Sequence, residues 1–307
     1  MTQAQSAIVP DGGPYALYVM LKVTDDAALV LQQCQRLAEI AKQTQEVFGD
    51  AQMGVAVGFS PAFCRAHGLA YPEGVTDFRP RESRKHRAPH TDCDVFIHLH
   101  GLRHDLNFYV FQQWLTPIKK VVDVVDETAG FRYLDARDMT GFIDGTENPQ
   151  GLAREAVAVI PDGPFAGGSV ALVQRYVHDL PAWERLQQAA QEKVIGRTKP
   201  DSIELEDMPD TSHVGRVDIK ENGVGLKILR QSLPYGSVSG EHGLLFLAYC
   251  QQQHPLDVML DSMFGERDGK TDMMLSFTQA VTGAIMFMPS QTTLAQYVER
   301  LSQPGVA

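Results

Sequence analysis

The stretch Gly141-Phe142-Ile143-Asp144-Gly145-Thr146-Glu147-Asn148-Pro149 places the Asp144 carboxylate in a loop of glycines, small polar residues and a closing proline. Glycine tolerates positive φ and lets backbone approach a ligand closely, so such a loop can lie nearly flat against a bound group. Phe142 and Ile143 make the surroundings partly apolar. A carboxylate half-buried there can act as an acid or a base. The competing reading is an ordinary Asp-Gly turn.

The loop resembles the signature of the dye-decolorizing peroxidases, a family of haem enzymes. Three further stretches match that family in the expected order: Thr211-Ser212-His213-Val214-Gly215-Arg216, Ile228-Leu229-Arg230-Gln231-Ser232-Leu233-Pro234-Tyr235-Gly236, and Asp272 followed by Met273-Met274-Leu275 and Ala280-Val281-Thr282-Gly283. The likeness runs from about residue 5 to residue 300 and is closest to the compact bacterial B type.

The resemblance implies haem b, with His213 as the axial imidazole ligand to iron. Asp272 would accept the other ring N–H of His213, fixing its tautomer and raising its basicity. On the opposite face Asp144 would shuttle the peroxide proton. Arg230 would stabilise the charge developing on the O–O bond. Ser232, two residues beyond Arg230 on a predicted strand, would share its face; it either holds a distal water or is a plain strand serine. Arg197 is the expected partner of a haem propionate, with Lys199 a weaker one. Thr146 and Glu147 would touch the porphyrin edge. Leu245, Phe246, Leu247 and Phe264 would form the distal wall, although core packing explains them equally well. Tyr235 is a candidate for carrying electrons to the surface, again against core packing.

The implied reaction reduces hydrogen peroxide and draws single electrons from small aromatic or dye-type donors. A homo-oligomer is expected from the resemblance. Cargo loading into an encapsulin nanocompartment is not expected, because no targeting extension follows Tyr297–Leu301.

Bulk properties set the frame. A chain of 307 residues, 44% hydrophobic and 21% charged, reads as a globular protein with room for two domains, each burying its own core. The net charge of −11 argues against nucleic acid or an anionic membrane as partner. Cys34, Cys64, Cys93 and Cys250 have no Cys-x-x-Cys spacing and read as reduced thiols of a cytoplasmic protein. The opening residues Met1–Ser6 carry no basic or apolar signal, and no apolar run is long enough to span a membrane.

The elements that must position these residues follow from periodicity. Strands are predicted at 15–23, 53–59 and 94–101, with the last strand of this half starting over 121–125, and helices at 25–48, 61–67 and 106–118. That is β-α-β-β-α-β, the ferredoxin-like order. The second half repeats it: strands at 169–177, 226–231, 243–250 and 284–288, helices at 183–194 and 256–264, and a tail helix at 291–301. The fold class is therefore α+β: two ferredoxin-like modules with antiparallel sheets, residues 1–140 and 141–307. The signature loop 141–149 lies at the junction and the haem in the C-terminal half. The basic run Arg79, Arg81, Arg84, Lys85 and Arg87 is either a solvated loop or a salt-bridge strip at a subunit contact.

Three other readings stay open at this stage. The chain could bind haem for storage, delivery or iron release without turnover. His98-x-His100, with His104 and Asp94, could form a non-haem metal site. A plain dimeric α+β interaction module without cofactor is the third.

Overall fold

Alternation along Tyr15–Val23 (β1) sets the plan of the molecule. Leu17, Val19 and Leu21 point to one core, and Ala16, Tyr18 and Met20 to another. Both faces are buried, so the period-two pattern sorts side chains between two interiors. The computed structural model describes residues 3–83 and 85–302.

In the first half β1 is followed by α1 (Ala27–Phe48), β2 (Gly54–Phe59), α2 (Pro61–Ala66), the short pair β3 (Arg81–Ser83) and β4 (His86–Ala88), β5 (Val95–Gly101), α3 (His104–Leu115) and β6 (Val122–Phe131). Asp26 caps α1 by accepting the Leu29 N–H, and Gly49 ends it at φ 93°. The second half contains α4 (Leu152–Ala158), β7 (Ser169–His178), α5 (Leu180–Glu184), α6 (Gln188–Ile195) and α7 (His213–Val217). Then come the hairpin β8 (Lys220–Glu221) and β9 (Val224–Gly225), β10 (Leu229–Arg230), β11 (Leu233–Gly236), β12 (His242–Cys250), α8 (His254–Met263), β13 (Thr278–Ala280), β14 (Ala284–Met288) and α9 (Gln291–Ser302).

The strands join in the order β10-β12-β11-β6-β1-β5-β2-β14-β7-β13, and a further pairing of β12 with β7 closes the ring into a barrel. Two antiparallel sheets compose it, β6-β1-β5-β2 from the first half and β11-β12-β7-β14 from the second. Each has the ferredoxin-like strand order, as expected. The seams between them are thin: Tyr235 pairs with Gly130 on one side and Phe287 with Phe59 on the other.

The halves do not bury separate cores. Ala16, Tyr18, Met20 and Phe96 from the first pack with Val173, Leu247, Tyr249 and Met286 from the second inside the barrel. Outer cores lie beneath the helices on each side. Small residues on the inward face of β2 make room for bulky ones opposite: a Cβ at Gly54 would stand 2.3 Å from His100 Nε2.

Other departures from expectation are local. The single helix expected over 183–194 is split: the Trp183 carbonyl closes a tight turn on the Leu186 N–H and also accepts from the Gln191 side chain, and a new helix starts where the Gln187 carbonyl accepts the Ala190 and Gln191 N–H groups. The strand expected over 226–231 shortens to β10, since the Leu226 N–H turns to Ile219. At its first members the basic run forms salt bridges within the chain. Arg81, 1% exposed, bonds Asp257 at 2.5 Å and Asp261 at 3.1 Å on α8, while Arg79 bonds Asp261 and Glu266. Arg84 lies outside the described residues.

Candidate active site

The signature loop is held at its root. Asp138 accepts from Thr140 and from His178 Nε2 at 3.1 Å. Burial alone would raise the Asp138 carboxyl, but the His178 and Thr140 donors outweigh it and hold it down at about 2. Trp183 Nε1 donates to the Thr140 carbonyl at 2.9 Å, and Arg137 Nη1 donates to Gly141 O at 2.8 Å. Gly141 has φ 88°, and a Cβ there would meet the Lys199 side chain at 2.6 Å. Just upstream, Leu134, Asp135 and Ala136 all have positive φ, and the Ala136 carbonyl accepts the Asp144 N–H at 3.0 Å. Three consecutive non-glycine residues in that region store backbone strain beside the loop.

Asp144 and Arg230 meet directly, Oδ1 to Nη1 at 2.8 Å, both side chains about a quarter exposed. The Asp144 carboxylate also accepts the Gly145 N–H at 2.7 Å. Arg230 occupies the short edge strand β10, whose outer backbone groups need partners. Asn148 supplies both: its Oδ1 accepts the Arg230 N–H at 2.8 Å and its Nδ2 donates to the Arg230 carbonyl at 2.8 Å. Sequence reasoning gave Asn148 no role. The available signal was an amide, donor and acceptor at once, four residues beyond Asp144.

His213 is the first residue of α7, introduced by Ser212, whose hydroxyl accepts the Gly215 N–H at 3.1 Å. Its Nδ1 lies 2.7 Å from Asp272 Oδ2, and its side chain is 34% exposed although that of Asp272 is fully buried. Asp272 Oδ1 accepts the Met274 N–H at 2.8 Å. Burial opposes a charged His213, but the Asp272 carboxylate wins and raises it above the ordinary histidine range. Arg230 and Asp144 lie near enough to act on His213 electrostatically, with opposite signs. An imidazole thus has one nitrogen committed to a carboxylate and the other without a hydrogen-bond partner, within electrostatic reach of a carboxylate–guanidinium pair.

This donor set fits haem better than a bare ion. Among the described residues no three His, Cys, Asp or Glu side chains gather round a common point. A single imidazole is enough only for a metal that brings its own ring of ligands. The His98-x-His100 alternative fails: His98 Nδ1 is bonded to the Tyr249 hydroxyl at 2.9 Å and His100 Nδ1 accepts the Gly13 N–H at 3.3 Å, while Asp94 pairs with Lys22.

The remaining candidates are placed variously. Arg197, 8% exposed, bonds Glu147 at 2.8 Å, Glu204 at 2.5 Å and Thr146 Oγ1 at 3.3 Å, so Thr146 and Glu147 form one cluster with it. Lys199 is turned elsewhere, donating to Gln191 at 2.8 Å and lying over the Phe142 ring. Ser232 lines the same cavity as Arg230, but β10 and β11 are interrupted between them and its hydroxyl accepts the Leu247 N–H at 3.1 Å. Leu245 and Leu247 face the barrel interior, whereas Phe246 and Phe264 belong to the core under α8. Tyr235 is buried and accepts from Arg175 at 3.3 Å.

Behind Asp144 and Arg230 opens a cavity of about 330 Å³, reaching Tyr18 and His98 inside the barrel. A guanidinium and a carboxylate at its wall can polarise a small polar molecule and move its proton.

Comparison with known proteins agrees with this geometry. Residues 5–132 match the family described as Dyp-type peroxidase, N-terminal, and residues 135–293 match Dyp-type peroxidase, C-terminal. The chain is 40% identical to a dye-decolorizing peroxidase of Mycobacterium tuberculosis over 77% of its length and 72% of that protein. Among solved structures, a dye-decolorizing protein from V. cholerae is 56% identical, with TM-score 0.94, 95% of this chain and 99% of that chain covered. A DypB variant from Rhodococcus jostii RHA1, solved in complex with heme, is 33% identical with TM-score 0.89, covering 95% and 98% respectively. The chain belongs to the Dyp-type peroxidases. It is a haem b enzyme that uses hydrogen peroxide as its oxidant.

Proposed function

We propose that His213 holds the haem iron through Nε2, with Asp144 and Arg230 cleaving peroxide on the opposite face. The observation that carries this reading is the pairing of a His–Asp couple with an Asp–Arg couple across one site. When bound, the haem supplies two electrons to break the O–O bond and regains them singly. Asp144 takes the proton from the peroxide oxygen nearer the cofactor and delivers it to the far oxygen, which leaves as water. Arg230 donates N–H groups to the negative charge that grows as the bond lengthens. Asn148 and the strained 134–136 segment keep the two groups in register. Asp272 keeps the His213 proton on Nδ1, leaving Nε2 free for the metal. Arg197 receives a propionate, exchanging one of its two glutamates for it, and Thr146 and Glu147 border that edge.

The electron donors are small aromatic molecules. The protein assembles as a homo-oligomer in the cytoplasm, a setting supported by four free, buried cysteines. Among the described residues no helix is long and apolar enough to cross a membrane. One similar protein, from Mycobacterium smegmatis, is described as an encapsulated DyP-type peroxidase.

The test is stopped-flow absorption after mixing haem-loaded protein with equimolar peroxide. Arg230→Ala slows the spectral change by about 10²-fold or more, with haem uptake retained. His213→Ala loses tight haem binding. A chain that binds haem only to carry it has no use for Arg230, and would show no rapid change in either protein.

A further inference from the structure

We infer that Tyr249 and His98 form a proton-coupled redox site inside the barrel, exchanging one electron with the peroxide-oxidised cofactor. This rests on the peroxidase reading above and adds a second oxidisable centre to it. The barrel interior is lined mostly by apolar side chains, yet Tyr18, His98 and Tyr249 sit in it at 1% exposure or less, with His100 beside His98, ring centres 5.4 Å apart. The Tyr249 hydroxyl lies 2.9 Å from His98 Nδ1. Tyr18 stacks on the other side of the same imidazole, ring centres 5.0 Å apart and 4° from parallel. A phenylalanine and a leucine would fill that space without the cost of burying polar groups. Packing alone therefore gives no reason for a hydroxyl and an imidazole here.

The pair is close to the peroxide site. Tyr249 is the cross-strand partner of Leu229, the residue before Arg230. The Tyr18 hydroxyl donates to the carbonyl of Gln231, the residue after it, at 2.8 Å. Tyr18 and His98 also line the cavity whose wall carries Asp144 and Arg230. Burial holds His98 neutral and so able to accept a proton, and it disfavours ionisation of Tyr249 on its own. A phenol that gives up an electron becomes a far stronger acid, so its proton passes to the base it is hydrogen-bonded to, here His98 Nδ1 at 2.9 Å.

The step balances within the protein. Tyr249 passes one electron to the oxidised cofactor, and its O–H bond breaks as the proton moves to His98 Nδ1. The products are a neutral tyrosyl radical, an imidazolium, and a cofactor one electron more reduced. When an aromatic donor gives up an electron, Tyr249 is reduced and the proton returns from His98. Oxidising power is thereby held in the barrel until a donor arrives.

The test is electron paramagnetic resonance on haem-loaded protein frozen after peroxide addition, with 3-fluorotyrosine incorporated at position 249 alone. A radical signal carrying fluorine splitting is expected; a signal without it overturns the inference. Tyr249→Phe should lose that signal. His98→Gln should lower its yield at least about tenfold, and an unchanged yield and line shape overturns the role of His98. In the unsubstituted protein after exchange into D2O, a deuteron coupled to the radical is expected, and its absence has the same consequence. Absorption recorded in parallel separates the two readings. No peroxide-induced change at all defeats the peroxidase proposal, whereas a change with no radical at Tyr249 defeats this inference alone.

Discussion

Replacing Asp272 by asparagine tests the proximal pair with almost no change in shape. Asp272 presents one oxygen to His213 Nδ1 at 2.7 Å and the other to the Met274 N–H at 2.8 Å. Both neighbours act as donors when His213 is arranged to bind metal through Nε2. An amide has one oxygen and one NH₂ group and can satisfy only one of them. If its oxygen stays on Met274, its NH₂ faces Nδ1, which must become the acceptor, and the ring proton moves to Nε2, where the proposed iron bond would form. If it flips, NH₂ opposes the Met274 N–H, leaving a buried donor unpaired at a cost of about 1–3 kcal/mol. The Asp272 side chain is wholly buried, so water screens neither outcome. Loss of such a carboxylate weakens metal binding about 10–100-fold, equivalent to about 1.4–2.7 kcal/mol. Hemin titration of the apoprotein, followed by absorption, should show that rise in Kd. The iron–histidine stretching frequency of the ferrous protein should fall as well. An Asp272→Asn protein with unchanged Kd and unchanged stretch refutes the reasoning. In the apoprotein the same carboxylate raises His213. Its contribution to stability is present in full below the ordinary histidine range and lost as pH climbs through the raised value, and Asp272→Asn should remove that dependence.

Asn148→Ala strips both backbone partners from Arg230 and should cost about 1–3 kcal/mol in urea denaturation, with a slower peroxide reaction and little change in hemin Kd. Asp138→Asn should cost about 2 kcal/mol at neutral pH, from a carboxyl held at about 2 against an ordinary 3.8. Because the folded value is depressed, that difference should shrink as pH falls from about 4 towards about 2; a difference that stays constant over the range contradicts the assignment. Burial lowers His100 to about 4 from 6.5, so its neutral form adds stability that is lost as pH falls between those values. His100→Asn should flatten the stability profile in that window. Arg81→Met leaves Asp257 without its cation and Asp261 with Arg79 alone, and should lower stability by about 2 kcal/mol or more, read as a drop in Tm.

Much of the fold was legible because both faces of most strands are buried and apolar. β1, β2, β5, β7, β12 and β14 all fall within a residue or two of their expected bounds. The ferredoxin-like order followed from them. Closure into a barrel was not legible: its two seams rest on single cross-strand pairs, Tyr235 with Gly130 and Phe59 with Phe287, which carry no local pattern. The split of the helix at 185–187 goes with a tight turn, Leu186 N–H to the Trp183 carbonyl, which the Gln191 side chain also reaches; side-chain periodicity encodes neither contact. At the site, His213 with Asp272 and Asp144 with Arg230 were paired in advance through family resemblance, since 59 and 86 residues separate the partners and no spacing rule joins them. Ser232 was expected to share a strand face with Arg230. The two line one cavity, although β10 and β11 are interrupted between them and the Ser232 hydroxyl bonds the Leu247 backbone.

The distal pair shows why the unread residues matter. Arg230 projects from a two-residue strand at the sheet's end, a place where backbone would ordinarily fray. Asn148 pairs both of its outward groups and so ends the sheet by joining it to the loop that carries Asp144. The distance between the two charged groups is then set by four peptide units, one amide bridge and the side chains themselves. Opposite charges placed 2.8 Å apart in a half-buried site also cancel much of each other's cost of leaving water. Pre-placement of this kind is what lets a guanidinium stabilise a developing charge without reorganising at the moment of reaction. A loop free to move would leave the carboxylate in solvent and the arginine pointing wherever its four-bond stem allowed. Chemistry at this site therefore depends as much on a neutral amide in a turn as on the charged residues it holds together.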